Sequence, residues 1–179
     1  MDHRLEREDL DLSKLYSGYV LARDSINAIR SQVLTQLSAS SSHRFAEFNF
    51  FTPEEVNEKF NPALREIEYG VMLMMLSAVE AFIRTDFSSK RFGKDKFDLL
   101  TTNFGSRIPL EEILNIWKTS DPATTKAIGE YNGSLILRNW LAHGRHYSKA
   151  IGRKNGYNSE NIFLITSNVV SAILNSSIY

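Results

Sequence analysis

"YGVMLMMLSAVEAFI", residues Tyr69 to Ile83, is the longest apolar run in the chain, and its reading decides the fold. A helix that crosses a bilayer needs about 20 consecutive apolar residues. This run is shorter and is interrupted by Glu80. It therefore reads as a helix buried inside a protein rather than as a membrane span.

Immediately upstream, "TPEE" supplies a helix start, with Thr52 as N-cap, Pro53 in the first turn and Glu55 closing a capping box. Asn61-Pro62 is expected to kink or restart that helix, which then continues through Glu80 to about Arg91. Further upstream, Leu15, Tyr16, Tyr19, Val20, Ile26, Ile29, Val33, Leu34 and Leu37 recur at steps of three and four, the pattern of a long amphipathic helix from Leu12. The Ser-rich "SASSSH" ends it. Downstream, "KDKFDLL" and "PLEEILNIW" read as two short helices separated by "TTNFGSRI", with Glu111 and Glu112 at the positive end of the second. Asp121-Pro122 starts a helix expected to run to about His143, with Gly144 as its C-cap. "RHYSKAIGRKNGYN" reads as loop and "SENIFLITSNVVSAIL" as a last helix. No strand pair, internal repeat or interdomain linker is visible. The expectation is an all-α, single-domain, roughly up-and-down bundle of four to six helices spanning residues 1–179.

The 179 residues suit one self-sufficient core, and 42% hydrophobic with 23% charged residues excludes extensive disorder. With no Cys there is no disulfide framework, thiolate zinc site or Cys nucleophile. "MDHRLEREDLDLSKL" lacks the apolar core of a signal peptide, so a cytoplasmic location is expected. Formal net charge is zero, which leaves no global field to attract nucleic acid. The distribution is uneven. Between Glu130 and Glu160 there is no carboxylate, whereas Arg138, Arg145, Lys149, Arg153 and Lys154 fall there with His143 and His146. Such a segment can contact phosphates, or it is a solvated loop that happens to be basic.

That segment begins in "LRNWLAHGRHY", Leu137 to Tyr147. At about 100° per residue, Ile136, Leu137, Trp140 and Leu141 are expected to cover the core side, and Arg138, Asn139, Ala142 and His143 the opposite side. Asn139 and His143 form an i,i+4 pair that Arg138 joins by curling around the helix. The plain alternative is a helix C-terminus decorated by a cation and an imidazole, both favourable near the negative end of the dipole. Glu80 has two readings as well. It pairs with Arg138 across helices, or with Arg84 one turn along its own helix.

Arg138, Asn139, the Trp140-Leu141-Ala142 spacer and His143, followed by Gly144, resemble the signature of the HEPN superfamily, an Arg and a His separated by a polar residue and a few more. "LSAVEAFIR", with Glu80, resembles the acidic helix many members carry. The sharp likeness covers these two stretches; the helical layout is compatible with it over most of the chain. It implies a metal-independent ribonuclease built as a homodimer, acting on RNA in toxin–antitoxin or antiviral defence, with an antitoxin or other defence protein as a further partner. Some members are only assembly or binding modules for nucleotides or proteins, so a catalytically silent helical domain is the alternative. In relatives paired with a nucleotidyltransferase antitoxin a Tyr often stands two residues after the His. Here that position is Arg145 and the Tyr is Tyr147, which sets regulation by Tyr modification in doubt.

The residue types suit the chemistry. In RNA cleavage without a metal, the 2′-hydroxyl attacks the adjacent phosphorus, so one group takes its proton, another protonates the departing 5′-oxygen, and a cation meets the developing charge. Histidine performs either proton transfer, and the guanidinium fork suits phosphate oxygens. Arg138 and His143 are therefore the expected catalytic pair, Asn139 and Glu80 their supports, and Arg145, His146, Lys149, Arg153 and Lys154 the RNA-binding set. One motif offers one imidazole where the reaction uses two, so a dimer is expected, with His146 as the alternative second group. Ile128 and Tyr131 read as outward contacts of that dimer or as packing against another helix of the same chain, with Asn132 and Ala142 permitting close approach. No cofactor is expected. His143-x-x-His146 has no acidic or Cys ligand beside it to complete a metal site, and no Walker-type phosphate loop is present.

Overall fold

The structure, a computed structural model, describes residues 10–39, 45–89, 94–119, 121–143 and 156–176. Among the described residues six α-helices follow one another: α1 (Leu12–Ala39), α2 (Pro53–Ser88), α3 (Lys94–Phe104), α4 (Leu110–Asn115), α5 (Pro122–Ala142) and α6 (Ser159–Asn175), with short 3-10 turns at Ala46–Phe48 and Trp117–Thr119. Among the described residues there is no strand. Helices α1, α2, α5 and α6 form the bundle, while α3 and α4 make an excursion between α2 and α5.

Helix α2 is the axis of the core. Val71, Met72, Met75, Leu76, Val79, Ile83 and Phe87 are buried along it, at the three- and four-residue steps of one helical face. Against them pack Leu110, Ile113 and Leu114 of α4, Ile128, Tyr131, Leu135 and Leu137 of α5, and Ile162, Val169 and Ile173 of α6. Each fully buried aliphatic side chain contributes roughly 1.5–3 kcal/mol, so this column dominates stability. The apolar run Tyr69–Ile83 is thus a core helix, and among the described residues no helix is long and apolar enough to cross a membrane.

The start of α2 is the capping box that "TPEE" encodes. The Thr52 hydroxyl accepts from the Glu55 N–H at 3.2 Å, and the Glu55 carboxylate accepts from the Thr52 N–H at 2.7 Å. Thr52→Ala is expected to lower stability by ~1 kcal/mol in thermal or urea unfolding, the usual cost of an N-cap hydroxyl. A variant as stable as the parent would mean that this end of α2 frays in solution.

Asn61-Pro62 does not restart the helix, because α2 is continuous with Pro62 inside it. The proline removes one N–H, and α1 lies alongside this stretch, where the Arg30 guanidinium donates to the Asn61 side-chain oxygen at 3.2 Å. Helix α2 ends at Ser88 rather than near Arg91, and α3 extends to Phe104, so "TTNF" is helix rather than connection. Gly105 then turns the chain with φ +63°, a conformation that favours glycine. In α1 only Leu12 and Val33 are fully buried, and Ile29 is exposed despite its place in the apolar pattern.

Candidate functional site

Asp121 caps α5. Its carboxylate accepts from the Thr124 hydroxyl at 2.5 Å and from the Thr124 N–H at 2.9 Å, and these bonds hold its pKa below the ordinary carboxylate value. A depressed carboxyl stabilises the fold above the ordinary carboxylate range and loses that contribution as pH falls through the lowered pKa. The Thr125 hydroxyl also bonds the Lys118 carbonyl, fastening α5 to the preceding 3-10 turn. From this anchored start, Ile128, Tyr131, Ser134, Leu135, Leu137, Trp140 and Leu141 are buried and fix the rotation of the helix.

That rotation corrects the expected faces. Ile136 is not a core residue; it is 54% exposed. Arg138 does not face outward with Asn139 and His143. It stands one turn above Ser134 and two turns above Tyr131, both fully buried, and so points toward α2. Ile128 and Tyr131, expected at an intermolecular contact, are wholly buried within the chain. The Tyr131 hydroxyl donates to the Leu76 carbonyl at 3.0 Å. Burial first, and then the nearby Glu80 charge, push the Tyr131 pKa upward and keep the phenol protonated.

Glu80 takes both partners that the sequence left open. Its Oε2 accepts from Arg138 Nη2 at 2.5 Å, and its Oε1 accepts from Arg84 Nε at 3.0 Å. The Glu80 side chain is 16% exposed, that of Arg138 29% and that of Arg84 44%. Arg138 Nη1 donates to the Asn139 side-chain oxygen at 2.9 Å, and Arg84 Nη1 donates to the Ile108 carbonyl at 3.1 Å. Two guanidiniums thus share one carboxylate, which leaves the cluster one positive charge. A partly exposed cluster with that surplus can bind an anion.

His143 ends α5. With φ −91° and ψ 24° it is the C-cap, and its N–H donates to the Asn139 carbonyl at 3.0 Å. Its side chain is exposed on the outward face shared by Ile136, Asn139 and Ala142. Asn139 therefore joins the two halves of the motif: its amide holds Arg138, and its carbonyl caps the turn that carries His143. Arg138 and His143 themselves lie on different sides of the helix. Gly144, Arg145, His146, Lys149, Arg153 and Lys154 lie outside the described residues, as do residues 145–155 of the loop expected to follow α5; Gly156, Tyr157 and Asn158 lead into α6 outside any helix. Among the described residues no group of three or more His, Asp or Glu side chains is placed to hold a metal ion.

Arg84's bond to the Ile108 carbonyl could not be read from sequence. The i,i+4 spacing of Glu80 and Arg84 signals their ion pair, but nothing local signals a carbonyl 24 residues away. Comparison with protein-family models, with curated proteins and with solved structures returned no match.

Proposed function

We propose that this chain is a metal-independent endoribonuclease of the HEPN type, acting on RNA as a homodimer in toxin–antitoxin or antiviral defence. The observation that carries this reading is the cross-helix Glu80–Arg138 pair beside Asn139, with a surplus positive charge and an exposed imidazole one turn further on. Arg138 and the cluster charge receive a phosphate oxygen; His143 moves a proton. The 2′-oxygen loses its proton and bonds to phosphorus, and the 5′-oxygen leaves and gains a proton, so the products are a 2′,3′-cyclic phosphate and a 5′-hydroxyl. Water then adds to the phosphorus of the cyclic phosphate, the bond to the 2′-oxygen breaks and that oxygen gains a proton, which leaves a 3′-phosphate.

The two motif residues point to different sides of α5, which favours a composite site. A second copy laid against the outward face brings a second imidazole to the same phosphate and supplies the missing acid or base. Ile136 is the large apolar side chain that such a contact covers, in place of Ile128 and Tyr131.

The test is incubation of the purified protein with mixed RNA in excess chelator, alongside His143→Ala. Cleavage that survives the chelator and leaves 5′-hydroxyl ends is expected. Loss of cleavage in chelator, or an inert wild-type protein, overturns the proposal. One observation favours a second reading, a catalytically silent HEPN module that dimerises or binds nucleotide or protein. Two nitrogens of Arg138 are already engaged and its Nε is buried, as in a structural ion pair. An inert wild-type protein that still dimerises would select that reading.

A further inference from the structure

The Nε–H and one Nη2–H of an arginine project from the same edge of the guanidinium, and together they form a fork that a carboxylate fills with both oxygens. At Arg138 that fork is half used. Nη2 donates to Glu80 Oε2, while Nε is buried and has no hydrogen-bond partner. A buried donor left without a partner is costly, and the oxygen that would satisfy it belongs to the same carboxylate. Glu80 Oε1 instead accepts from Arg84 Nε at 3.0 Å. Arg84 is in turn fixed by its Nη1 bond to the Ile108 carbonyl at 3.1 Å. Ile108 is buried, and Pro109 follows it as the N-cap of α4, so the carbonyl is anchored from both sides.

We infer that Arg84 is a positioning residue: held by the Ile108 carbonyl, it turns the Glu80 carboxylate so that Arg138 is gripped at one point and not by its full fork. The consequence rests on the reading of Arg138 as the phosphate-contacting cation. A guanidinium held by Glu80 through Nη2 alone, with Nη1 on Asn139, keeps its remaining terminal N–H groups oriented for a substrate oxygen. One locked against Glu80 through both Nε and Nη2 is drawn toward α2 and away from Asn139. The α3–α4 excursion thereby sets the geometry of a side chain on α5, through Arg84 and Glu80 of α2. An exposed i,i+4 ion pair would have no such effect, since it contributes little and leaves its neighbours unchanged.

The experiment compares the full chain with Arg84→Met, which keeps an apolar stem but removes every donor, and with Arg84→Lys, which can still reach Glu80. The readout is the Arg138 Nε–Hε signal in a nitrogen–proton NMR spectrum, identified by its loss in Arg138→Lys. In Arg84→Met the signal is expected to move downfield as Nε gains the freed Glu80 oxygen, while in Arg84→Lys it stays near its wild-type position. In RNA cleavage, kcat is expected to fall ~10-fold in Arg84→Met with KM changed by less than about twofold, and to recover in Arg84→Lys. An unmoved Arg138 signal in a folded Arg84→Met protein overturns the inference, and so does loss of the fold in that variant, which would make Arg84 structural. If the wild-type protein cleaves no RNA, the ribonuclease reading fails while the NMR comparison still decides whether Arg84 positions Arg138.

Discussion

His143→Ala is expected to lower RNA cleavage by at least ~10²-fold and to leave the unfolding transition where it was, because general acid–base catalysis contributes on that scale. The side chain is exposed, and the residue's structural task, closing the last turn of α5, is done by its backbone N–H to the Asn139 carbonyl at 3.0 Å. Alanine keeps that bond. Arg138→Ala is expected to match the loss of cleavage but not the unchanged stability, since its guanidinium is tied to Glu80 at 2.5 Å. Removing it takes away a charge-assisted contact worth about 1.5–3 kcal/mol, with Arg84 still beside Glu80 to limit the damage. The two variants are therefore separable by pairing a cleavage assay with thermal unfolding. Full activity in either one would remove that residue from the site.

The largest stability effect is expected at Tyr131. It is wholly buried among residues of α2, with its hydroxyl on the Leu76 carbonyl at 3.0 Å. Tyr131→Ala leaves a cavity the size of an aromatic ring and is expected to cost roughly 3–5 kcal/mol. Tyr131→Phe keeps the volume and removes one hydrogen bond, at about 1 kcal/mol. Urea unfolding of the two variants tests both numbers. A Tyr131→Ala protein as stable as Tyr131→Phe would contradict the burial of this ring. Because Glu80 and Arg138 sit beside the phenol, looser packing there is also expected to reach the candidate site.

The all-helical class and most helix ends were legible in the sequence because their causes are local. Thr52, Pro53 and Glu55 write the start of α2, and Asp121 with Pro122 the start of α5. The interruption of the apolar run by Glu80 excluded a membrane span without any knowledge of packing. What no local signal specifies is the rotation of each helix about its own axis. For α5 that is set by the combined burial of Tyr131, Ser134, Leu135, Leu137 and Leu141 against other helices. A helical wheel alone therefore assigned Ile136 to the core and Arg138 to solvent, whereas Ile136 is exposed and Arg138 is half-buried against Glu80. The choice between Arg84 and Arg138 as partner for Glu80 was open for the same reason: one lies an i,i+4 step away on the same helix, the other 58 residues away. A carboxylate has two oxygens, and only the packing of α5 on α2, with the Ile108 carbonyl holding Arg84, decided that each guanidinium takes one. By itself the sequence determined which ionisable residues the chain offers and which helices bear Glu80, Arg84 and Arg138. The tertiary structure decided which of those residues meet, because contacts between helices depend on rotation and docking that the spacing along one helix does not encode.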